Sequence, residues 1–84
     1  GLVNEIVPAA KVFSRCHELA SQMSKYGPIA AAYAKEAILK GYQTTLQDGF
    51  RLEADLNFLL QSTKDRAEGI HSFLENRPPK YRGE

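Results

Sequence analysis

The segment GPIAAAYAKEAILKG, Gly27–Gly41, carries a complete set of helix signals. Pro28 suits the first helical turn, because the N–H that it lacks would have no partner there. Gly27 tolerates the left-handed conformation that ends a preceding helix. Five alanines give the segment a high helix propensity, and Gly41 closes it. The pattern therefore predicts a helix from about Pro28 to Lys40.

Toward the N-terminus, apolar residues recur from about Ala9 to Lys25 at the spacing of one helical stripe. This stripe consists of Val12, Phe13, Cys16, Leu19, Ala20 and Met23. Before it, β-branched and aliphatic residues in 2–7 predict a short strand or extended segment that ends at Pro8, which cannot donate a ladder hydrogen bond.

Toward the C-terminus, Thr44-Thr45-Leu46-Gln47 offers a capping box, with Thr44 accepting from an early amide and Gln47 reaching back. A third helix is predicted from there through about Gln61. Gly49 within it costs about 1 kcal/mol relative to alanine, which indicates that another backbone packs closely against it.

A second capping sequence, Ser62-Thr63-Lys64-Asp65, predicts a fourth helix from about Lys64 to Asn76. Its predicted inward positions are Ala67, Ile70, Phe73 and Leu74. Arg77-Pro78-Pro79 stops this helix. The predicted organisation is a segment 1–8, a four-helix subdomain 9–76 and a basic extended tail 77–84, which together form an all-α fold.

Length and charge limit the classes of function. The 84 residues allow one domain or part of one, and eleven Lys and Arg against ten Asp and Glu leave a net charge of +1. A net charge this small produces no strong positive potential that would attract nucleic acid or an anionic membrane, so neither is expected as a partner. A single cysteine, Cys16, excludes an intrachain disulfide and favours a reducing compartment. The chain starts at Gly1 without an initiator Met, and we expect it to be a piece of a longer protein.

The chemistry-bearing residues form no catalytic or metal-binding pattern. His17 and His71 lie far apart and outside any metal-ligand motif, so solvated helix positions are expected for both. Cys16 falls on the apolar stripe and is expected to be a small core residue. We therefore predict no catalytic residue and no metal site within these residues.

Three carboxylates remain for interpretation. Asp65 and Glu68 share one helix face near its first turn, where the helix dipole explains both. Glu53 interrupts an apolar face, which leaves either a boundary position or a buried and paired carboxylate, and the boundary is favoured.

The tail holds Arg77, Lys80, Tyr81 and Arg82, which could bind a phosphorylated ligand or form a frayed, solvated terminus. Of these two interpretations, the frayed, solvated terminus is favoured.

Three stretches resemble the C-terminal part of the enoyl-CoA hydratase/isomerase (crotonase) family. GLVNEIVP at Gly1–Pro8 resembles the exit from that family's last core strand, and Gly27-Pro28 with the Ala-rich helix resembles its next turn. STKDRAEGIHSFLENRPPKYRG at Ser62–Gly83 is the most specific, because it is similar to the family ending S-x-D-x-x-E-G-x-x-A-F-x-E-K-R-x-P-x-F-x-G.

The resemblance implies that these helices were cut from a larger α/β crotonase-type fold whose core, before Gly1, holds the chemistry. It further implies an acyl-CoA substrate with coenzyme A as its carrier, a homo-oligomer that is a trimer or hexamer, and a helical cover over the acyl-CoA pocket. Phe73 matches a family aromatic near the CoA adenine. Asn76 stands where many members have a Lys for the CoA phosphates, so Arg77 or Lys80 is expected to substitute.

The expected parent is a short-chain enoyl-CoA hydratase, in the cytoplasm or, in a eukaryote, the mitochondrial matrix. Isomerase, dehydratase, hydrolase and decarboxylase members share this ending. A non-catalytic helical assembly module is the alternative from another class. An apolar surface is expected under both interpretations.

Overall fold

The computed structural model describes all 84 residues, and its regular secondary structure consists of helices alone. After a short 3₁₀ turn at Ala9–Lys11, helix α1 spans Val12–Met23, α2 spans Pro28–Gly41, α3 spans Leu46–Leu60 and α4 spans Lys64–Leu74. The predicted all-α class and the four helices are confirmed.

Residues 1–8 form no strand, so of the two forms predicted for this segment the strand is wrong. A strand is stabilised when its backbone pairs with a neighbouring strand, and the rest of this chain provides no strand for residues 1–8 to pair with. The segment is joined to α1 by a side-chain contact instead, since Arg15 Nε donates to Glu5 Oε2 at 2.9 Å.

Threonine side chains begin α3 and α4. Thr45 Oγ1 accepts from the Asp48 amide at 3.2 Å, and Thr63 Oγ1 accepts from the Arg66 amide at the same distance. The predicted pairing of Thr44 with Gln47 is therefore wrong by one residue. Thr45 is the better cap because its hydroxyl also donates to the Asp48 carboxylate at 2.6 Å.

Gly27 starts α2 with an ordinary φ of −58°, so its predicted left-handed role is wrong. The residue is buried, and a Cβ placed there would lie 3.7 Å from the Tyr81 ring and 3.8 Å from the Asp65 carboxylate. Gly27 thus serves close packing.

Helix α4 ends at Leu74, two residues before the predicted end, because Asn76 adopts a left-handed φ of 57°. The Asn76 amide donates to the Phe73 carbonyl at 3.2 Å, and the Arg77 amide donates to the Ser72 carbonyl at 3.0 Å. This pair of bonds is a Schellman motif, which terminates the helix and reverses the chain.

Helices α2 and α3 form the main helix–helix contact. A Cβ on Gly49 would lie 3.6 Å from the Gly41 Cα, which confirms the predicted close approach of another backbone. Leu56 on α3 is the one buried apolar side chain, with 8% of its surface exposed. The four helices consequently do not close around a shared core.

The overall shape is open. The Cα radius of gyration is 16.2 Å, whereas a compact domain of this length has about 12 Å. The predicted inward residues Ile70, Phe73 and Leu74 of α4 are exposed, as are Val12, Phe13 and Met23 of α1. Periodicity identified these apolar faces correctly, but nothing within the chain covers them.

No helix has both the length and the apolar character to cross a bilayer.

Candidate functional site

The best-defined polar arrangement lies where the tail 77–84 folds back on α4. Asp65, in the first turn of α4, is 7% exposed, and its two carboxylate oxygens accept from the Arg82 and Gly83 amides at 2.7 and 2.8 Å. Its own amide donates to the Glu84 carbonyl at 3.0 Å. Asp65 therefore fixes the end of the tail through three hydrogen bonds to the tail backbone, two from its side chain and one from its own amide.

Glu68, one turn later, fixes the start of the tail. Its oxygens accept from Arg77 Nη1 at 2.6 Å and Nη2 at 3.0 Å, and Oε1 also accepts from the Lys80 amide at 2.7 Å. Arg77 Nε donates to Glu75 at 2.6 Å. We call these contacts of Asp65 and Glu68 with the tail the tail clasp.

The clasp shifts the proton affinities of its members. The hydrogen bonds from Arg77, and then from the Lys80 amide, favour the charged carboxylate and lower the pKa of Glu68 from 4.5 to about 2. Its hydrogen bonds to Glu68 first, and to Glu75 second, raise the pKa of Arg77 above its ordinary value. The Glu68–Arg77 pair is thus ionised throughout the physiological range.

Two glycines let the tail approach the helices. A Cβ on Gly69 would lie 3.3 Å from the Tyr81 hydroxyl oxygen, so the phenol ring rests directly on the α4 backbone. Gly83 has a left-handed φ of 78°, and its Cβ position is 3.6 Å from the Pro28 ring. Through Tyr81 and Gly83 the tail joins α4 to the beginning of α2.

The clasp corrects two sequence predictions. Asp65 does lie in the first turn of α4, but the dipole interpretation of Asp65 and Glu68 omitted their main contacts. The favoured interpretation of the tail as a frayed terminus is also wrong, because hydrogen bonds to Glu68 and Asp65 hold it against α4. The missed signal was the occurrence of two carboxylates on one face of α4 together with a basic tail that contains two prolines.

A polar cleft of about 410 Å³ lies between α4 and the tail. It is lined by four cations, Lys64, Arg77, Lys80 and Arg82, and by three carboxylates, Asp65, Glu68 and Glu84. Lys64 pairs with Glu84 at 2.5 Å. The Lys80 ammonium and the Arg82 guanidinium have no carboxylate within 4.0 Å. Two cations and one carboxylate, Asp65, are therefore without an ion pair, and the seven side chains lining the cleft carry a net charge of +1.

An apolar groove of about 760 Å³ lies between α2 and α3. Tyr33, Tyr42 and Phe50 contribute its aromatic side chains. Glu53 lines the groove and is exposed, so the predicted boundary position is confirmed and the buried alternative is excluded.

The remaining candidates are dispersed. His17 and His71 are exposed, and no group of three potential metal ligands occurs. Cys16 is also exposed, so the predicted core position is wrong for this chain, because the α1 stripe has no partner. Phe73 is 83% exposed on α4. The structure brings Arg77 and Lys80 to one cleft, and it places Asn76 in the left-handed turn beside them.

Comparison with known proteins identifies relatives of the whole chain. The enoyl-CoA hydratase/isomerase family model matches residues 1–84. The chain is 37% identical to the 2,3-dehydroadipyl-CoA hydratase of Escherichia coli K12 over 99% of its length. It is 39% identical to the mitochondrial methylglutaconyl-CoA hydratase of Mus musculus over 86% of its length.

Solved structures show the same relationship. The crystal structure of an enoyl-CoA hydratase from Bacillus anthracis superposes on the full chain with a TM-score of 0.95 at 40% identity. An enoyl-CoA hydratase/isomerase from Mycobacterium paratuberculosis gives 0.95 at 32% identity. The chain spans 33% of each of these structures, 32% of the E. coli relative and 23% of the mouse relative.

Proposed function

Because this chain belongs to the enoyl-CoA hydratase/isomerase family, we propose that it is the C-terminal helical segment of a short-chain enoyl-CoA hydratase. The complete enzyme adds water across the 2,3 double bond of an acyl-CoA. The observation that carries the proposal is the family match over all 84 residues. The hydratase names of its relatives favour hydration over isomerisation, dehydration, thioester hydrolysis or decarboxylation.

Within that enzyme, the proposed role of the segment is to cover the acyl-CoA pocket and to support a homotrimer or hexamer. Its exposed apolar residues support this role, because Phe13, Met23, Phe58 and Leu74 each leave more than half of the side chain in water. Faces of this kind are stable when another surface covers them. A larger catalytic core and neighbouring subunits supply such surfaces.

The segment is proposed to contribute no catalytic group. The carboxylates best placed for chemistry, Asp65 and Glu68, are already engaged by tail amides and by Arg77. A general base at neutral pH needs a pKa near the working pH, and the pKa of Glu68, about 2, is far below it. Turnover is therefore assigned to residues outside this chain.

Coenzyme A is the carrier portion of the proposed substrate, and Phe73, Arg77 and Lys80 are the proposed contacts to it. Phe73 offers an exposed aromatic face for the adenine, and the basic tail offers cations for the phosphates. The proposed location is the cytoplasm or, in a eukaryote, the mitochondrial matrix, and the mitochondrial relative from Mus musculus supports the second alternative.

A helical assembly module without small-molecule binding is the second candidate function. The open shape and the exposed faces of α1 and α4 favour it as much as they favour the first. Hydration of crotonyl-CoA separates the two. The complete enzyme should convert crotonyl-CoA to 3-hydroxybutyryl-CoA, whereas the 84-residue chain alone should not. A complete protein that forms oligomers without converting this substrate, or any other CoA thioester, would establish the assembly module.

A further inference from the structure

Helix α4 buries polar residues and exposes apolar ones. Its two buried residues are Asp65 and Ser72, whereas Phe73 and Leu74 are exposed. Helices α2 and α3 pack extensively against each other, and α4 makes no comparable contact with another helix. Hydrophobic packing between helices therefore does not determine where α4 lies.

Asp65 lies where α4, the tail and the start of α2 meet. Its carboxylate oxygens accept from the Arg82 and Gly83 amides at 2.7 and 2.8 Å. Its Oδ2 lies 3.8 Å from the position that a Cβ on Gly27 would occupy. Gly27 directly precedes α2, and the partial positive charge at a helix N-terminus favours a carboxylate there. One buried side chain thus lies against three parts of the chain.

The tail makes the remaining contacts between the two helices. The Tyr81 ring lies 3.7 Å from the Cβ position of Gly27, and the Tyr81 hydroxyl oxygen lies 3.3 Å from that of Gly69 on α4. The Cβ position of Gly83 is 3.6 Å from the Pro28 ring. The tail consequently lies between α4 and the first turn of α2.

We propose that the tail, residues 77–84, is a strap that locks α4 to the first turn of α2, and that Asp65 keeps this strap closed. Each hydrogen bond contributes little net free energy, because its partners bond to water when the strap opens. Helix α4 can accordingly be released while α2 and α3 stay packed, as in the local unfolding of a weakly attached segment.

The strap has a consequence for the surface of the protein. Because it fixes the position of α4, it sets the direction in which this helix presents Phe73 and Leu74, which are 83% and 73% exposed. The proposal concerns the fold, and it holds whether or not the complete protein hydrates CoA thioesters.

Amide hydrogen exchange of the complete protein, followed by mass spectrometry, tests the proposal. Asp65→Ala removes the acceptor for both tail amides, and we expect it to accelerate exchange about tenfold in α4 and in the first turns of α2. Exchange in α3 should be unchanged. Asp55→Ala is the matched control, because Asp55 is an exposed carboxylate on α3 without an ion pair.

A second variant opens the strap from the tail. Tyr81→Ala removes the ring that lies against Gly27 and Gly69 and leaves the sequence of every helix unaltered. It should accelerate exchange in α4 and at the start of α2, whereas Tyr81→Phe, which keeps the ring, should stay close to wild type. This variant separates release of the strap from a loss of helix stability caused by changing the first turn of α4.

The pattern of exchange decides the proposal. Joint acceleration of α4 and the start of α2, in both strap variants and not in the control, would support it. Acceleration in α4 alone would overturn it, because Asp65 would then serve only its own helix. Unchanged exchange in both strap variants, or equal acceleration of α3, would also overturn it.

Discussion

Glu68 and Arg77 form a bidentate ion pair across the end of α4, with carboxylate–nitrogen distances of 2.6 and 3.0 Å. The left-handed Asn76 makes this possible, because it reverses the chain directly after the helix. The same carboxylate also accepts from the Lys80 amide at 2.7 Å. One side chain thus fixes both the direction of the tail and its distance from α4.

The Glu68–Arg77 pair should give the clasp a defined pH dependence. The pKa of Glu68, about 2, lies below its ordinary 4.5, so the pair stabilises the clasped form above pH 4.5 and this contribution is lost as the pH falls through about 2. The measurement is an NMR titration of the Glu68 side-chain carboxyl carbon in the 84-residue chain. Arg77→Gln removes the main cause and should raise the midpoint toward 4.5. Equal midpoints in the two proteins would show that the ion pair does not form.

Asp65→Ala should release the end of the tail. It removes the acceptor for the Arg82 and Gly83 amides, and we expect a loss of about 2 kcal/mol in tail docking. Asp65→Asn keeps one carbonyl oxygen and should lose less. Trypsin cleavage after Lys80 and Arg82, compared with cleavage after Lys25, reports the difference. Equal protection of the tail in wild type and Asp65→Ala would contradict the clasp.

Two glycines within helices should respond differently to alanine. Gly49→Ala meets only an ordinary contact with Gly41 and should stabilise α3 by about 1 kcal/mol through helix propensity. Gly69→Ala brings the same propensity but places its Cβ 3.3 Å from the Tyr81 hydroxyl, which must move. We expect its net effect on the free energy of unfolding to be smaller or unfavourable, as measured by urea titration with circular dichroism.

Tyr81→Phe provides the control for Gly69. Without the hydroxyl, the next ring atom lies 3.7 Å from the added Cβ, so Gly69→Ala in this background should recover the full gain of about 1 kcal/mol. An identical effect of Gly69→Ala in both backgrounds would mean that Tyr81 does not pack there.

Asn76 should be sensitive to the shape of its replacement. Its φ of 57° is accessible to glycine, so Asn76→Gly should alter stability by a few tenths of a kcal/mol. Asn76→Val introduces a β-branched side chain in the left-handed region and should cost about 1 kcal/mol or more. Thermal unfolding followed by circular dichroism measures both. A neutral valine variant would show that the Schellman turn does not depend on this residue.

Short stretches of sequence were sufficient to predict the helices, but they did not predict the contacts that the helices make with distant parts of the chain. Pro28, Thr45 and Thr63 act within one helical turn, so the starts of α2, α3 and α4 follow from short stretches of sequence. The bonds of Asp65 to Arg82 and Gly83 span 17 and 18 residues, and no local propensity encodes them. A clasp could be predicted only by matching the carboxylates on α4 with the polar groups of the tail.

The apolar stripes illustrate a second limit. The spacing of Val12, Phe13 and Met23 established that one face of α1 is apolar, but periodicity does not indicate which surface covers that face. In the structure these side chains are exposed. The prediction of an inward face therefore identified the right residues and lacked their partner.

Exposed apolar faces of this extent should make the isolated chain prone to self-association. Seventeen large apolar residues are exposed, and we expect the 84-residue chain to bind a hydrophobic dye and to self-associate as its concentration rises. Dye fluorescence and sedimentation over a dilution series measure both properties. A monodisperse monomer without dye binding would contradict the proposed role as a cover for a larger body.

X-ray scattering from the isolated chain at the lowest usable concentration tests whether the four helices depend on a surface outside this chain. Helices that depend on an absent surface cannot contract around a core of their own, so the radius of gyration should equal or exceed 16.2 Å. A monomer with a radius near 12 Å, the value for a compact domain of this length, would show that the four helices form a self-sufficient bundle and need no larger enzyme.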